Sequence, residues 1–382
     1  MSKFAVKQTS PIDVLIVGNH PCAYLAAMLL GHKSDLRVVL ATGSQPPADD
    51  RLLTINPALF DLHPLLSGLK QKLTITGIYG LQFLSDHADT ASEHRVKSVV
   101  AYVARYGDLC EAISKIFGDK GIETLAGGPV RVLRIDEHGL EIGVGKHTLH
   151  PRAMMLSDET VIDEKKLLGR PESWGLDVVH RFTLAKCKSA KHLNLSAKAL
   201  MPMSLDLRGQ LNWGWLLPGD GEFQLVVEQP IEKATATSGQ ELLAHWAAVL
   251  QRHAVLGPNF ELPTSAIQTS DRPLAGALAH EGVANRTLLI GPAGGFYSAC
   301  GEEIYPSCWS ALFAAEVLKK ALKEKHLQDA LNPFRHKWRT TLGDYLRGPH
   351  QNLRFLLPLV YRNPAMTQRI AEAILLSKSV VR

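Results

Sequence analysis

The chain has 382 residues, of which 46% are hydrophobic and 21% are charged. This composition is typical of an ordinary globular protein with a large core, built as two domains or one elaborate domain. The formal net charge of +5 is modest for this length. It permits weak attraction to acidic ligands or anionic membranes but does not indicate nucleic-acid binding.

The five cysteines are scattered along the chain without a C-x-x-C pair. This argues against a disulfide framework and against a structural zinc site, and a reducing, cytoplasmic location fits it best. The N-terminal residues lack the apolar core of a signal peptide. No run approaches the roughly 18–20 apolar residues that a transmembrane segment needs.

The first predicted element is a strand, a tight turn and a helix over residues 13–30. Val14 to Val17 form a continuous apolar run, as in a strand that is buried on both faces, and Gly18 ends it. Small and apolar residues follow, so a helix can pack closely on the sheet. A Rossmann-type domain holds the pyrophosphate of FAD or NAD at such a turn, with the pattern G-x-G-x-x-G/A.

The glycine pattern at this turn is incomplete, because it reads Gly18-Asn19-His20-Pro21-Cys22-Ala23. The first glycine is present and Ala23 is an accepted third residue, but His20 replaces the second glycine. Its imidazole either takes space that the phosphates need or rotates out and donates a hydrogen bond. The next strand, Leu36 to Leu40, leads into Ala41 and not into the carboxylate that would hold a ribose hydroxyl. These residues alone leave nucleotide binding open.

Further elements follow in the first half of the chain. The leucine spacing from Asn56 to Leu69 predicts a helix. Val99 to Arg105 is predicted to be a strand, and Asp108 is predicted to cap the helix that follows. We expect a hairpin around residues 137–139 and a strand over residues 154–158 that returns to the core sheet.

The second half begins with residues 175–235, which are richest in strand character and include two predicted strands around Pro218-Gly219-Asp220-Gly221. Helices are predicted over residues 240–253 and 305–323. Between them, a strand at residues 287–290 leads into a glycine-rich turn. Residues 334–382 are expected to be helical and basic.

Several of these stretches occur in an order that one enzyme family shares. They are the Gly18 turn with Pro21, Arg105 before a helix, Ser157-Asp158-Glu159 at a strand end, the run from Trp213 to Pro218, the turn Gly291-Pro292-Ala293-Gly294-Gly295, and Gly301-Glu302-Glu303 before a long helix. In this order they resemble the motifs of the geranylgeranyl reductase-like branch of the aromatic-hydroxylase-like FAD-dependent oxidoreductases. The resemblance runs over nearly the whole chain.

The resemblance implies an α/β fold in which a Rossmann-like FAD/NAD(P)-binding domain carries an inserted mixed β-sheet substrate domain and a helical C-terminal tail. It assigns residues 1–174 and 270–330 to the first domain, 175–269 to the second and 331–382 to the tail, with parts of 52–98 open to the substrate domain. It implies that FAD is held by Gly18, His20, Pro21, Cys22, Ala23, Arg105, Gly291, Gly294, Gly295 and Glu302. It identifies no catalytic residue and no metal site.

The departures from the family pattern fall on the expected contact residues. Besides His20 and Ala41, Pro292 replaces an aspartate and removes a backbone N–H. Glu303 replaces a glycine that lies close to the flavin ring. A lost hydrogen bond to a charged group costs roughly 1.5–3 kcal/mol. Several such losses weaken binding by orders of magnitude.

Two side-chain pairs allow more than one interpretation. Trp213 and Trp215 have the same parity on a strand, so both rings face one side, where they line an apolar substrate pocket or pack in a sheet core. Glu302 and Glu303 form an acid–base pair beside the pocket, or supply favourable negative charge at a helix N-terminus.

The sequence therefore supports competing functions. The first is an FAD-dependent oxidoreductase of the reductase or monooxygenase type that acts on an apolar or aromatic small molecule. The alternative is a non-catalytic relative that lost flavin binding and holds a ligand or protein partner in the old cleft. An NAD(P)-using enzyme ranks last because the ribose-reading acid is absent. The basic, aromatic tail either contacts a membrane surface peripherally or covers the domain.

Overall fold

The computed structural model describes most of the chain, namely residues 11–42, 51–87, 90–136, 139–158, 161–162, 178–188, 199–205, 211–232, 239–263, 267–273, 276, 282–298, 301–346 and 350–376. In these ranges the strands are β1 (Ile12–Val17), β2 (Val38–Thr42), β3 (Leu52–Ile55), β4 (Thr76–Ile78), β5 (Gly80–Leu84), β6 (Ala91–Arg95), β7 (Ala101–Arg105), β8 (Glu123–Ala126), β9 (Val130–Asp136), β10 (Gly139–Val144), β11 (His147–Leu149), β12 (Pro151–Leu156), β13 (Val161–Ile162), β14 (Val178–Lys188), β15 (Ala199–Leu205), β16 (Leu211–Pro218), β17 (Glu222–Glu232), β18 (Ile267–Pro273), β19 (Val283–Ala284) and β20 (Thr287–Leu289). The α-helices are α1 (Pro21–Gly31), α2 (Tyr106–Gly118), α3 (Gly239–Arg252), α4 (Ile304–Ala321), α5 (Leu327–Ala330), α6 (Phe334–Lys337), α7 (Arg339–Leu346), α8 (His350–Arg362) and α9 (Pro364–Leu376).

The central sheet contains the predicted first strand. Its order is β19-β20-β12-β1-β2-β8, and its strands are parallel except for the edge hairpin β19–β20. Strand β1 lies between β12 and β2, so Val14 pairs with Ala153 on one side and with Val38 on the other. The prediction of a mixed α/β fold with a parallel sheet is confirmed.

Both faces of this sheet are covered, which explains the continuous apolar run in β1. Helices α1 and α4 pack on one face, where the small residues Ala23, Ala27 and Ala314 are fully buried and allow close approach. On the other face, Leu15 and Val17 join a cluster with side chains of the β9–β10 hairpin, including Val132. The carboxyl end of β1 therefore opens onto a turn that the fold holds firmly.

A second, seven-stranded sheet has the order β18-β14-β17-β16-β15-β5-β6. The predicted hairpin around residues 218–221 forms its centre, with Trp215 opposite Val226. One face packs on α3, whose Trp246 lies over Gly214: a Cβ there would come within 3.0 Å of the indole. The other face carries Trp213 and Trp215 and packs against side chains of α8 and α9.

Two local predictions are wrong. The leucine-rich stretch from Asn56 to Leu69 contains the short 3-10 turns Pro57–Asp61 and Pro64–Leu66 instead of a helix. The reason is Pro64, which lies in the middle of the stretch, because proline inside a helix removes an N–H donor and clashes with the preceding turn. Asp108 is not the cap of α2, since that helix already starts at Tyr106 and Asp108 lies in its first turn.

The C-terminal helices α6 to α9 lie against both sheets. Phe334, Trp338 and Leu342 are buried with α1 and α4, whereas Leu353, Ile370 and Ala371 are buried with the seven-stranded sheet. Among helices of the described residues, none combines the length and the apolar composition that crossing a bilayer requires.

Candidate functional site

The turn after β1 is closed by the end of β12. Gly18 has φ +130°, and a Cβ there would collide with the Ser157 hydroxyl. Asp158 Oδ2 accepts hydrogen bonds from the backbone N–H groups of Asn19 (2.6 Å) and His20 (3.2 Å). A carboxylate therefore lies at the N-terminus of α1, where positive dipole ends and exposed amides favour an anion.

His20 caps the same helix with its side chain. Its Nδ1 accepts from the backbone N–H of Cys22 at 3.2 Å, and its carbonyl accepts from that of Ala23 at 2.8 Å. The ring is 2% exposed, and this cap leaves the proton of the neutral imidazole on Nε2. The pKa of His20 is lowered to about 3. Burial is the largest cause, Arg272 and Arg51 act in the same direction, and Glu303 opposes them. The imidazole is therefore neutral at physiological pH.

Every backbone N–H of residues 18–23 has an acceptor inside the protein. The Gly18 amide donates to Ala41 O at 2.9 Å, Pro21 has no N–H, and the remaining donors go to Asp158 or His20. A pyrophosphate at such a turn is bound through these same amides. The turn has the shape of a phosphate-binding turn while its donors are already used.

The second glycine turn meets the first at Ser157. Gly291 begins the 3-10 turn Gly291–Gly294 with φ +57°, and a Cβ there would lie 2.6 Å from Cys22 Sγ and 3.1 Å from Ser157 O. The Ala293 N–H donates to Ser157 O at 3.1 Å. Gly294 and Gly295 complete the turn, with Gly295 in the left-handed region at φ +73°. The fold thus brings together two glycine turns that are more than 270 residues apart in the sequence.

Glu303 lies at the start of α4 and organises the charges around this point. Its carboxylate, 3% exposed, pairs with Arg51 Nη2 at 2.5 Å and with the Arg272 guanidinium, and its Oε1 lies 4.0 Å from His20 Nε2. Burial alone raises the pKa of Glu303, but Arg272 and Arg51 outweigh it and hold the pKa at about 2. Arg51 also covers the Tyr106 ring at 4.1 Å. We call His20, Arg51, Arg272 and Glu303 the charge cluster.

Glu302 points away from this cluster. Its carboxylate accepts from the Tyr345 hydroxyl at 2.7 Å and from the Tyr305 N–H at 2.9 Å. Burial raises the pKa of Glu302 to about 7, partly offset by these hydrogen bonds. Glu302 and Glu303 therefore face different surroundings and do not form a juxtaposed acid–base pair.

A pocket of about 70 Å³ lies beside the charge cluster. Its polar wall includes Arg51, Arg272, Glu303 and Glu228. Most of its apolar wall comes from the seven-stranded sheet, and β3 adds Leu52 and Leu53. The side chains from the seven-stranded sheet are Phe182, Leu184, Trp215, Leu217 and Val226. Apolar walls with a few convergent polar groups are the lining of small-molecule sites, but this volume is well below the roughly 300–1,000 Å³ of a pocket that encloses a drug-sized ligand.

Glu228 is the buried acid of this pocket. The indole Nε1 of Trp213 donates to its Oε2 at 3.3 Å, and its other oxygen lies against the Gly301 backbone. Burial raises the pKa of Glu228 to about 8, against the lowering effects of the Trp213 hydrogen bond and Arg272. The side chain therefore holds its proton at neutral pH. Trp215 lines the pocket directly, whereas Trp213 acts on it through Glu228.

Arg105 lies apart from these groups. It is 46% exposed and donates to Glu222 Oε1 at 2.9 Å. Arg51 and Arg272 are the arginines in the cluster, and the sequence reasoning missed both because neither belongs to a recognisable motif. Glu159, the last residue of the predicted strand-end motif, lies outside the described residues. In the described ranges, no group of His, Cys, Asp and Glu side chains is arranged to hold a metal ion.

Comparison with known proteins identifies the fold. The chain superimposes on a geranylgeranyl bacteriochlorophyll reductase-like protein from Thermoplasma acidophilum with a TM-score of 0.71, 12% identity and 96% of both chains covered. PqsL from Pseudomonas aeruginosa, a probable FAD-dependent monooxygenase, matches with a TM-score of 0.61, 18% identity, and 97% and 100% coverage. The flavin-dependent brominase Bmp2 matches with a TM-score of 0.65, 15% identity, and 96% and 94% coverage. This is the fold of FAD-dependent oxidoreductases.

The similarity lies in the structure, since no family model and no curated protein matches the sequence. The predicted resemblance to geranylgeranyl reductase-like flavoenzymes is confirmed at the level of the fold. Identities of 12–18% carry the architecture only, so cofactor and activity depend on the residues at the site.

The residues at the Gly18 turn do not fit a pyrophosphate in the conformation described. Its amides are taken by Asp158 and His20, and the Asp158 carboxylate already places a negative charge at the start of α1. The pocket side differs, because its apolar wall and the guanidinium groups of Arg51 and Arg272 are compatible with an aromatic ring.

Proposed function

We propose that this protein is an FAD-dependent oxidoreductase of the reductase or monooxygenase type that acts on an apolar or aromatic small molecule. One observation carries the proposal: the chain shares its fold with such enzymes over nearly its whole length, and that fold joins two glycine turns beside an apolar pocket. FAD, when bound, supplies hydride transfer or oxygen activation, whereas the protein binds and orients.

The roles of the chain's own residues follow from the pocket. Trp215 and the neighbouring aliphatic side chains exclude water from the substrate. Arg51 and Arg272 hold positive charge at the polar wall, where an anionic group of a substrate or of flavin is stabilised. Protonated Glu228 is able to donate a hydrogen bond there. The predicted FAD contacts at the glycine turns, Arg105 and Glu302 remain predictions.

A second candidate, a relative without flavin, is favoured by a different observation. The amides of residues 18–23 are satisfied internally, and buried polar groups that already have partners gain little from a ligand. Such a protein would bind a small apolar or anionic molecule in the same pocket, without redox chemistry.

Flavin binding separates the two candidates. For an FAD enzyme we expect purified protein to be yellow, or to take up added FAD with quenching of flavin fluorescence and a rise in melting temperature. The first candidate would be excluded for the native chain if the protein stays colourless and FAD at up to about 1 mM, a concentration that detects even weak binding, changes neither the flavin fluorescence nor the melting temperature. The second candidate would then remain.

We also propose the finer division of the fold. The seven-stranded sheet would form the substrate domain and α6 to α9 the C-terminal tail. Strands β5 and β6 join that sheet from before the predicted 175–269 segment, and β18 extends past its end. The described cysteines Cys22, Cys110, Cys187 and Cys308 are not in disulfide bonds, and we propose a cytoplasmic location.

Peripheral membrane contact is proposed for helix α8. Phe355 (77% exposed) and Leu359 (43% exposed) are one turn apart, and exposed Arg362 follows. We expect sedimentation with phosphatidylserine vesicles and less with neutral ones. F355S should reduce the pelleted fraction, whereas L133S, at an exposed leucine on β9, should not. Equal pelleting of both variants and the parent protein would refute the contact.

A further inference from the structure

We infer that His20 and Asp158 act as an internal substitute for the cofactor's pyrophosphate, so that FAD binds only by displacing them. The inference rests on the proposed function, since it concerns how this chain admits the cofactor of its fold. It is carried by side-chain placement at the Gly18 turn and does not depend on sequence similarity.

The backbone N–H groups at the start of α1 already have acceptors. Asp158 Oδ2 accepts from two consecutive amides, Asn19 and His20, as a phosphate oxygen does at a helix N-terminus. His20 Nδ1 takes the next available amide, that of Cys22. Together the two side chains occupy the backbone N–H groups at the start of α1 that an anion would need. His20 belongs to the turn itself, and Asp158 follows the neighbouring strand β12.

The imidazole of His20 is held in place. His20 is 2% exposed, its ring centroid lies 6.1 Å from that of Tyr106, and its Nδ1 also lies 3.1 Å from Cys22 Sγ. Glu303, fixed by two arginines, faces its Nε2. Moving the ring therefore disturbs a packed, paired arrangement, and bringing in a diphosphate places two negative charges near Asp158 and Glu303.

Removing either the His20 ring or the Asp158 charge should improve FAD binding. Glycine fits position 20 without strain, since φ is −66° and ψ 144°, and His20→Gly frees the Cys22 amide and the volume of the ring. Asp158→Asn keeps the side-chain shape and removes the charge. We expect each change to tighten FAD binding at least tenfold, which corresponds to about 1.4 kcal/mol.

The experiment is an FAD titration of the full-length protein, followed by flavin fluorescence, with the melting temperature of each ligand-free protein measured in parallel. The parent protein, His20→Gly and Asp158→Asn are compared with His32→Gly, which makes the same change at the other end of α1. We expect His20→Gly to melt at a lower temperature without FAD, because the Cys22 amide loses its acceptor, and to gain more from FAD than the parent. Asp158→Asn gives an answer even if His20→Gly does not fold.

Each outcome decides the inference. Tighter binding by the two site variants, with His32→Gly like the parent, supports it. Tight binding by the site variants and none by the parent also supports it, while excluding FAD as the native cofactor. Equal affinity in all four proteins overturns the inference and leaves the proposed function standing. Absence of binding in all four overturns both.

Discussion

Replacing Glu303 with glutamine should lower the free energy of unfolding by about 3–5 kcal/mol, the usual cost of removing one partner from a buried ion pair. Glu303 is 3% exposed and is the shared anion of Arg51 and Arg272. Its pKa of about 2 keeps it ionised at neutral pH. Glutamine keeps the size but removes the negative charge that two guanidinium groups, each largely shielded from water, share.

The measurement is urea unfolding at about pH 6, and Glu302→Gln is the matched control. Glu302 is the adjacent residue and is also buried, but its carboxyl has a pKa of about 7 and is bonded to Tyr345, not to a cation. At about pH 6 it is mostly protonated, so glutamine should cost little. Losses of equal size in the two variants would show that Glu303 contributes through packing and not through its charge.

The same residue predicts an acid limit to stability. The pKa of Glu303 is lowered from 4.5 in the unfolded chain to about 2 in the folded protein. Its contribution is therefore fully present above about pH 4.5 and is lost as the pH falls towards 2, because the unfolded chain then binds more protons. The glutamine variant should lack this part of the acid dependence.

The sequence predicts the frame of the molecule better than its site. The apolar run Val14 to Val17, the small residues of α1 and the hairpin at residues 218–221 have local physical causes, and the structure has each of them. The stretch from Asn56 to Leu69 shows the limit of such reasoning. Its leucine spacing is helical, but Pro64 in the middle of the stretch prevents one continuous helix.

The site depends on contacts that no local pattern reveals. Asp158 reaches the amides of Asn19 and His20 only because β12 lies next to β1 in the sheet, a pairing of segments more than 130 residues apart. Arg272 reaches Glu303 from β18, and Arg51 reaches it from the residue before β3, which belongs to another sheet. The sequence identifies Glu303 as a departure from the flavoenzyme pattern, but the arginines that stabilise it become visible only when the fold is complete.

Replacing Glu228 with glutamine should remove a loss of stability that the parent protein suffers as the pH rises. The pKa of Glu228 is raised from 4.5 in the unfolded chain to about 8 in the folded protein, chiefly by burial. Between these values the folded state holds a proton that the unfolded state has released. The contribution of Glu228 to the free energy of unfolding is therefore greatest below about pH 4.5. It falls as the pH rises towards 8, by a total on the order of 5 kcal/mol.

Glutamine imitates the protonated acid, because its amide oxygen can accept from Trp213 and its NH₂ group replaces the O–H. The variant and the parent should therefore be similarly stable near pH 5 and diverge above it, with the variant several kcal/mol more stable near pH 8. Urea unfolding at intervals across this range measures the difference, and Glu324→Gln, at an exposed position, is the control. Glu302 contributes a further loss in the same direction up to about pH 7, and it is unchanged in both proteins, so it cancels in the comparison. A difference between variant and parent that stays constant with pH would mean that Glu228 is already ionised in the folded protein, and the pocket would then carry a further negative charge at its polar wall.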